Sequence, residues 1–98
     1  MMRYSVIEIP PHHRAYDGHF PGNPLLPGAV LLDEILFAIA DEESISPERC
    51  VIGVAKFKHF AGPGAPLELG FERIQSGAFR FELRSAAALV VEGTVEFQ

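Results

Sequence analysis

A histidine, a glycine backbone and an aspartate fall within fifteen residues of one another in a setting suited to acid–base work. The histidine, His19, lies in the stretch Gly18-His19-Phe20-Pro21-Gly22-Asn23-Pro24-Leu25-Leu26-Pro27-Gly28. Prolines hold such a loop on one path by narrowing the freedom of the unfolded chain. Glycines permit its tight turns. An imidazole delivered this way is neutral near physiological pH and can accept a proton as a general base. Pro27-Gly28 then opens a helix, since proline suits a first helical turn. The first N–H groups there, near Gly28 and Ala29, have no intrahelical acceptor and carry positive partial charge. They can hold a developing oxyanion. Asp33 follows about a turn and a half further along. A carboxylate in an otherwise apolar helix needs a reason, because an unpaired buried charge is costly. Glu34 points roughly 100° away and reads as a solvated or interface carboxylate.

The elements around these residues follow from periodicity. Arg3 to Ile9 alternates, is β-branched and reads as a strand stopped by Pro10-Pro11. From there to Pro27 the chain is a loop, long enough to be functional. The run from Ala29 to Ala40 has helical length and is apolar on nearly every face, which predicts a helix buried all round. Asp41, Glu42 and Glu43 are expected to end it in solvent. The rest reads as strands: Cys50 to Phe60, Leu67 to Ile74, a segment containing Phe79, Phe81 and Leu83, and Ala87 to Phe97. Gly62-Pro63-Gly64 and Ser76-Gly77 separate them, and Glu92-Gly93 is a candidate bulge. One buried helix wrapped by one curved antiparallel sheet, an α+β arrangement, is the simplest solution.

Bulk properties bound the partners. The 98 residues make one domain, residues 1–98, with little stability margin. Hydrophobic residues make up 48% and charged residues 21%, more apolar surface than so small a body hides, which points to an oligomer. A net charge of −5 argues against nucleic acid, which needs a basic face. The longest apolar run is too short and too charged to span a membrane, and the first residues lack a signal peptide's apolar core. A single cysteine, Cys50, fits a reduced, cytoplasmic setting and reads as a small buried hydrophobe. No set of ligands with zinc-like spacing emerges from His12, His13, His59 and Cys50, so no metal is expected.

The stretch His19-Phe20-Pro21-Gly22 through Pro27-Gly28, with Asp33 beyond it, resembles the signature of the 3-hydroxyacyl-ACP dehydratases of fatty-acid synthesis. The segment Ala55-Lys56-Phe57-Lys58 through Pro63-Gly64 is similar to the second half of that family, so the resemblance covers the chain from about Val6 onward. It implies a hotdog fold and a cytoplasmic homodimer whose two sites each draw His19 from one subunit and Asp33 from the other. It also implies a tunnel for the acyl chain at the interface, for which Leu32 and Phe37 are the helical wall and Phe20, Pro21, Gly22 and Pro27 the loop. His19 would remove the C2 proton, Gly28 N–H would hold the thioester oxygen, and Asp33 would assist departure of the 3-hydroxyl as water, with no cofactor. The substrate would ride on acyl carrier protein or coenzyme A, with Arg14, Lys56 and Lys58 as candidate contacts.

Two positions depart from the family pattern. Phe37 stands where a glutamine is frequent one turn after the acid, and Asn23 replaces a charged residue. Aspartate at position 33 is the choice of the isomerising branch, though isomerisation depends on tunnel shape and ranks below simple dehydration. Related small dehydratases serve polyene and other specialised acyl chains, and a heterodimer with a related subunit is an alternative to the homodimer. The competing functions are a half-site partner subunit without turnover, which Phe37 keeps open, and a hotdog thioesterase, against which the His19 loop argues.

Overall fold

The structure, a computed structural model, describes residues 1–8, 28–61, 66–75 and 77–98. Its elements in chain order are β1 (Arg3–Ile7), α1 (Gly28–Glu43), β2 (Cys50–Phe57), β3 (Leu67–Gln75), β4 (Ala78–Ser85) and β5 (Ala88–Phe97). The strands form one antiparallel sheet in the order β1-β3-β4-β5-β2. Consecutive hairpins account for β3, β4 and β5. The two earlier strands add to opposite edges of that meander, so the long-range pairs β1–β3 and β2–β5 close the topology.

Alternation sorts the sheet into two faces. One row across the core-facing side runs Leu69, Leu83, Val91, Phe57, and the next holds Phe71, Phe81, Gly93 and Ala55. Phe71, Phe79, Phe81, Leu69, Leu83 and Val91 are fully buried and form one cluster with Leu31, Ile35 and Ile39 of α1. The Phe79 ring meets Phe71 and Phe97 edge-on, at centroid distances of 6.2 and 5.9 Å. Each such pair contributes about 0.5–1.5 kcal/mol beyond its buried area.

Two one-residue irregularities shape the far edge. Ile52 pairs with Val95 and Val54 with Thr94, so Gly53 is an extra residue in β2. Leu83 pairs with Val91 and Arg84 with Leu89, so Val90 is an extra residue in β5. The bulge foreseen at Glu92-Gly93 of the last strand lies instead at Val90 of that strand, with a second at Gly53 of β2. Gly93 itself stays in register, and the carbonyl of Val54 occupies the space a side chain there would need.

The helix ends in a Schellman motif. Ile45 N–H donates to Ala40 O at 2.8 Å and Ser44 N–H to Asp41 O at 3.2 Å, with Ser44 at φ 55°. Its last turn holds no basic residue. Cations come from the sheet instead: Arg3 Nη2 lies 2.5 Å from Glu43 Oε1, and Arg73 reaches the same oxygen at 4.0 Å. Glu43 is thus paired and largely covered, not left in solvent as the sequence suggested.

Candidate functional site at the start of the helix

Helix α1 is not buried all round in this chain. Leu31, Ile35, Leu36, Ile39 and Ala40 face the sheet, but Ala29, Asp33 and Phe37, spaced by four, form an exposed stripe. Phe37 is 59% exposed. Asp33 therefore sits on the open side of the helix, one turn before an uncovered aromatic ring. Leu32 is half-buried against the core, and Glu34 is half-buried beside Phe37 in a groove shared with Val6 and Ile45.

Gly28 is the first residue of α1, where the N–H groups lack helical acceptors. Phe57, the last residue of β2, packs directly on it. A Cβ added at Gly28 would lie 2.9 Å from Cζ and 3.1 Å from Cε1 of that ring. The helix start is thus flanked by an aromatic wall that only glycine leaves undisturbed. Sequence reasoning gave Phe57 no role. Its signal was an apolar residue closing a strand beside two lysines, which does not by itself reveal a neighbour so far back in the chain.

The described residues bring Gly28, Asp33 and Phe37 onto one helix and add Phe57 beside its start. His19, Phe20, Pro21, Gly22 and Pro27 lie outside the described residues, as do His12, His13, Arg14 and Asn23. Lys56, Lys58 and His59 are exposed at and just beyond the end of β2. Cys50 is free and half-buried against the core rather than fully enclosed. Among the described residues no three potential ligands gather around a metal site. No helix among them is long and apolar enough to cross a membrane.

The ApeI-like family model, described as ApeI dehydratase, matches residues 3–94, nearly the whole chain. The chain belongs to the ApeI-like dehydratase family. Among curated relatives, this family member is 33% identical over 92 residues to the 3-hydroxyacyl-[acyl-carrier-protein] dehydratase FabZ of Burkholderia cenocepacia (strain HI2424). The alignment covers 82% of this chain and 57% of the relative. It is likewise 33% identical over 90 residues to FabZ of Lactococcus lactis subsp. lactis (strain IL1403), covering 84% and 58%. The ApeI-like chain thus spans well under two thirds of the length of these relatives.

Solved structures establish the hotdog fold. The dehydratase heterocomplex ApeI:P from Xenorhabdus doucetiae superposes with a TM-score of 0.77 at 21% identity, covering 97% of this chain and 85% of that one. The dehydratase domain of PpsC from Mycobacterium tuberculosis also gives 0.77, at 18% identity, over 98% of this chain and 38% of that one. A mutant of the fluoroacetyl-CoA thioesterase FlK, in complex with fluoro-acetate, gives 0.74 at 12% identity, over 98% and 84%. The same fold thus accommodates both dehydratases and a thioesterase, and chemistry must be argued from the site.

Proposed function

We propose that the protein removes water from a (R)-3-hydroxyacyl thioester, giving the trans-2-enoyl thioester, with the acyl group carried by acyl carrier protein or coenzyme A in the cytoplasm. His19 takes the C2 proton, and the electron pair moves toward the thioester carbonyl. The N–H at Gly28 holds the oxygen as charge develops on it. The C3–O bond then breaks, and Asp33 assists departure of the hydroxyl as water, by orienting it or by relaying the proton taken up at His19. Proton exchange between His19 and Asp33 resets both groups. Leu32 and Phe37, with Phe20, Pro21, Gly22 and Pro27, form the passage for the acyl chain.

The observation that carries this reading is the position of Asp33 on the open stripe of α1. A carboxylate placed there can serve a site completed by a second subunit. The edge of the sheet supports such an assembly: among the described residues β2 has a neighbour on one side only, and Val51, Ile52 and Val54 are exposed along it. An apolar edge with unused backbone groups invites strand pairing. We take the second subunit to be a copy of this chain. A related chain is the second reading, favoured by the exposed Phe37 and by the naming of ApeI:P as a heterocomplex.

The test is an absorbance assay for the conjugated enoyl product, using short (R)-3-hydroxyacyl thioesters on both carriers. Turnover by the wild type that His19→Ala and Asp33→Ala each abolish is the expected result. A well-folded dimer inactive on every substrate sinks the proposal. Hydrolysis of the thioester without enoyl formation would replace it with a thioesterase.

A further inference from the structure

Phe57 is held at the helix start by more than its own packing. The carbonyl of Val90, the extra residue of β5, accepts the N–H of Lys58 at 2.8 Å and of His59 at 3.3 Å. The chain is therefore clamped immediately after Phe57. Behind it, Phe57 pairs with Val91, which places the ring on the core-facing side of the sheet. Yet the residue is 47% exposed. One end of the ring rests on Gly28, and much of the rest is uncovered. A half-covered aromatic ring fixed beside the first N–H groups of α1, which have no acceptor within the helix, offers two surfaces at once. The backbone offers donors to an oxygen, and the ring offers apolar contact to carbon and sulfur. A thioester has that pattern, with its carbonyl oxygen flanked by a polarizable sulfur and a methylene.

Resting on the function proposed above, we infer that Phe57 is a positioning residue of the same site. Its ring holds the thioester carbonyl against the first turn of α1 and excludes water from the oxygen as charge develops. Electrostatic attraction strengthens as water is removed. The contribution is therefore larger in the transition state than in the bound substrate, and it appears in kcat rather than KM.

The experiment compares wild type, Phe57→Ala and Phe57→Leu in the enoyl assay, with thermal melts and sedimentation run on each. Phe57→Ala is expected to lower kcat by about tenfold or more, with KM moving less than about threefold. Phe57→Leu, which keeps an apolar wall, is expected to recover most of the loss. If the alanine variant does not fold, the leucine variant is paired with Phe57→Asn, which is polar, and the same split is read between those two. A rise in KM at constant kcat would overturn the inference, as would unchanged kinetics in a folded variant. Either result beside an active wild type leaves the dehydratase reading intact. An inactive wild type removes that reading and the inference together.

Discussion

Replacing Ser44 with glycine should stabilise the protein, and the size of the gain follows from the helix end. Ser44 sits at φ 55° in the Schellman motif, with both hydrogen bonds of the motif formed and Ile45 packed against the core beyond it. The left-handed conformation costs an L-residue about 1–2 kcal/mol. Glycine avoids that cost but loses about 0.5–1 kcal/mol more backbone freedom on folding. The net gain for Ser44→Gly is roughly 0.5–1 kcal/mol. A domain of this size gains about 4–8 °C in Tm per kcal/mol. Urea and thermal melts at one fixed protein concentration read the difference, since association would otherwise shift the midpoint. Ser44→Val, which is β-branched, should lose at least as much as glycine gains. A glycine variant no more stable than wild type, or a valine variant equal to it, would show that the strain at this turn is not what sets its stability.

Other consequences are equally direct. Gly93→Ala drives a Cβ into the Val54 carbonyl and to within 3.0 Å of the Phe81 ring. It should cost about 1–3 kcal/mol by the overpacking route, read in the same melts. Mixing inactive His19→Ala and Asp33→Ala subunits should restore about a quarter of wild-type activity. On the proposed arrangement, with His19 of one subunit facing Asp33 of the other, half of randomly paired dimers are mixed and each holds one site with both groups intact. Failure to recover activity after verified subunit exchange would mean that both groups of a site come from one chain. Val51→Lys with Val54→Lys, both on the outward face of β2, should shift sedimentation from dimer to monomer and remove turnover. A dimer that persists would place the interface elsewhere.

Much of the fold was legible in the residues because its strands obey a strict period. Phe79, Phe81 and Leu83 alternate with Arg80, Glu82 and Arg84, and all three apolar residues are buried. Strand order was not legible, because β1 and β2 find their partners across long separations that local pattern does not encode. Pattern also misjudged α1. Hydrophobicity at Ala29 and Phe37 signals burial somewhere, but cannot distinguish burial in one's own core from burial against another chain. The same holds for Val51, Ile52 and Val54, apolar residues of β2 that lie exposed. At the site, the motif indicated Gly28 and Asp33 by type and spacing. Phe57 required three dimensions, because the sheet carries it back to the first residue of a helix far earlier in the chain.

The extra residue at Gly53 gives the edge strand slack, and in one direction only. Cys50 and Ile52 share the core-facing side through their pairs Phe97 and Val95, as do Ala55 and Phe57 through Gly93 and Val91. Unbroken alternation from Ile52 would instead turn Val54 and Lys56 inward and Phe57 outward. The bulge absorbs one position and so restores the phase. A deletion at Gly53 would close the strand into a regular ladder, with Val54 still opposite Thr94 and Phe57 still opposite Val91. An inserted residue between Gly53 and Lys56 has no such reserve. Unless a second bulge took it up, Lys56 would move opposite Val91 and bring an ammonium group to the start of α1 in place of an aromatic ring. Neither the helix nor Phe57 itself would have been substituted. Length variation in this strand is therefore expected to be asymmetric, with shortening by one residue tolerated and lengthening by one read directly at the wall beside Gly28.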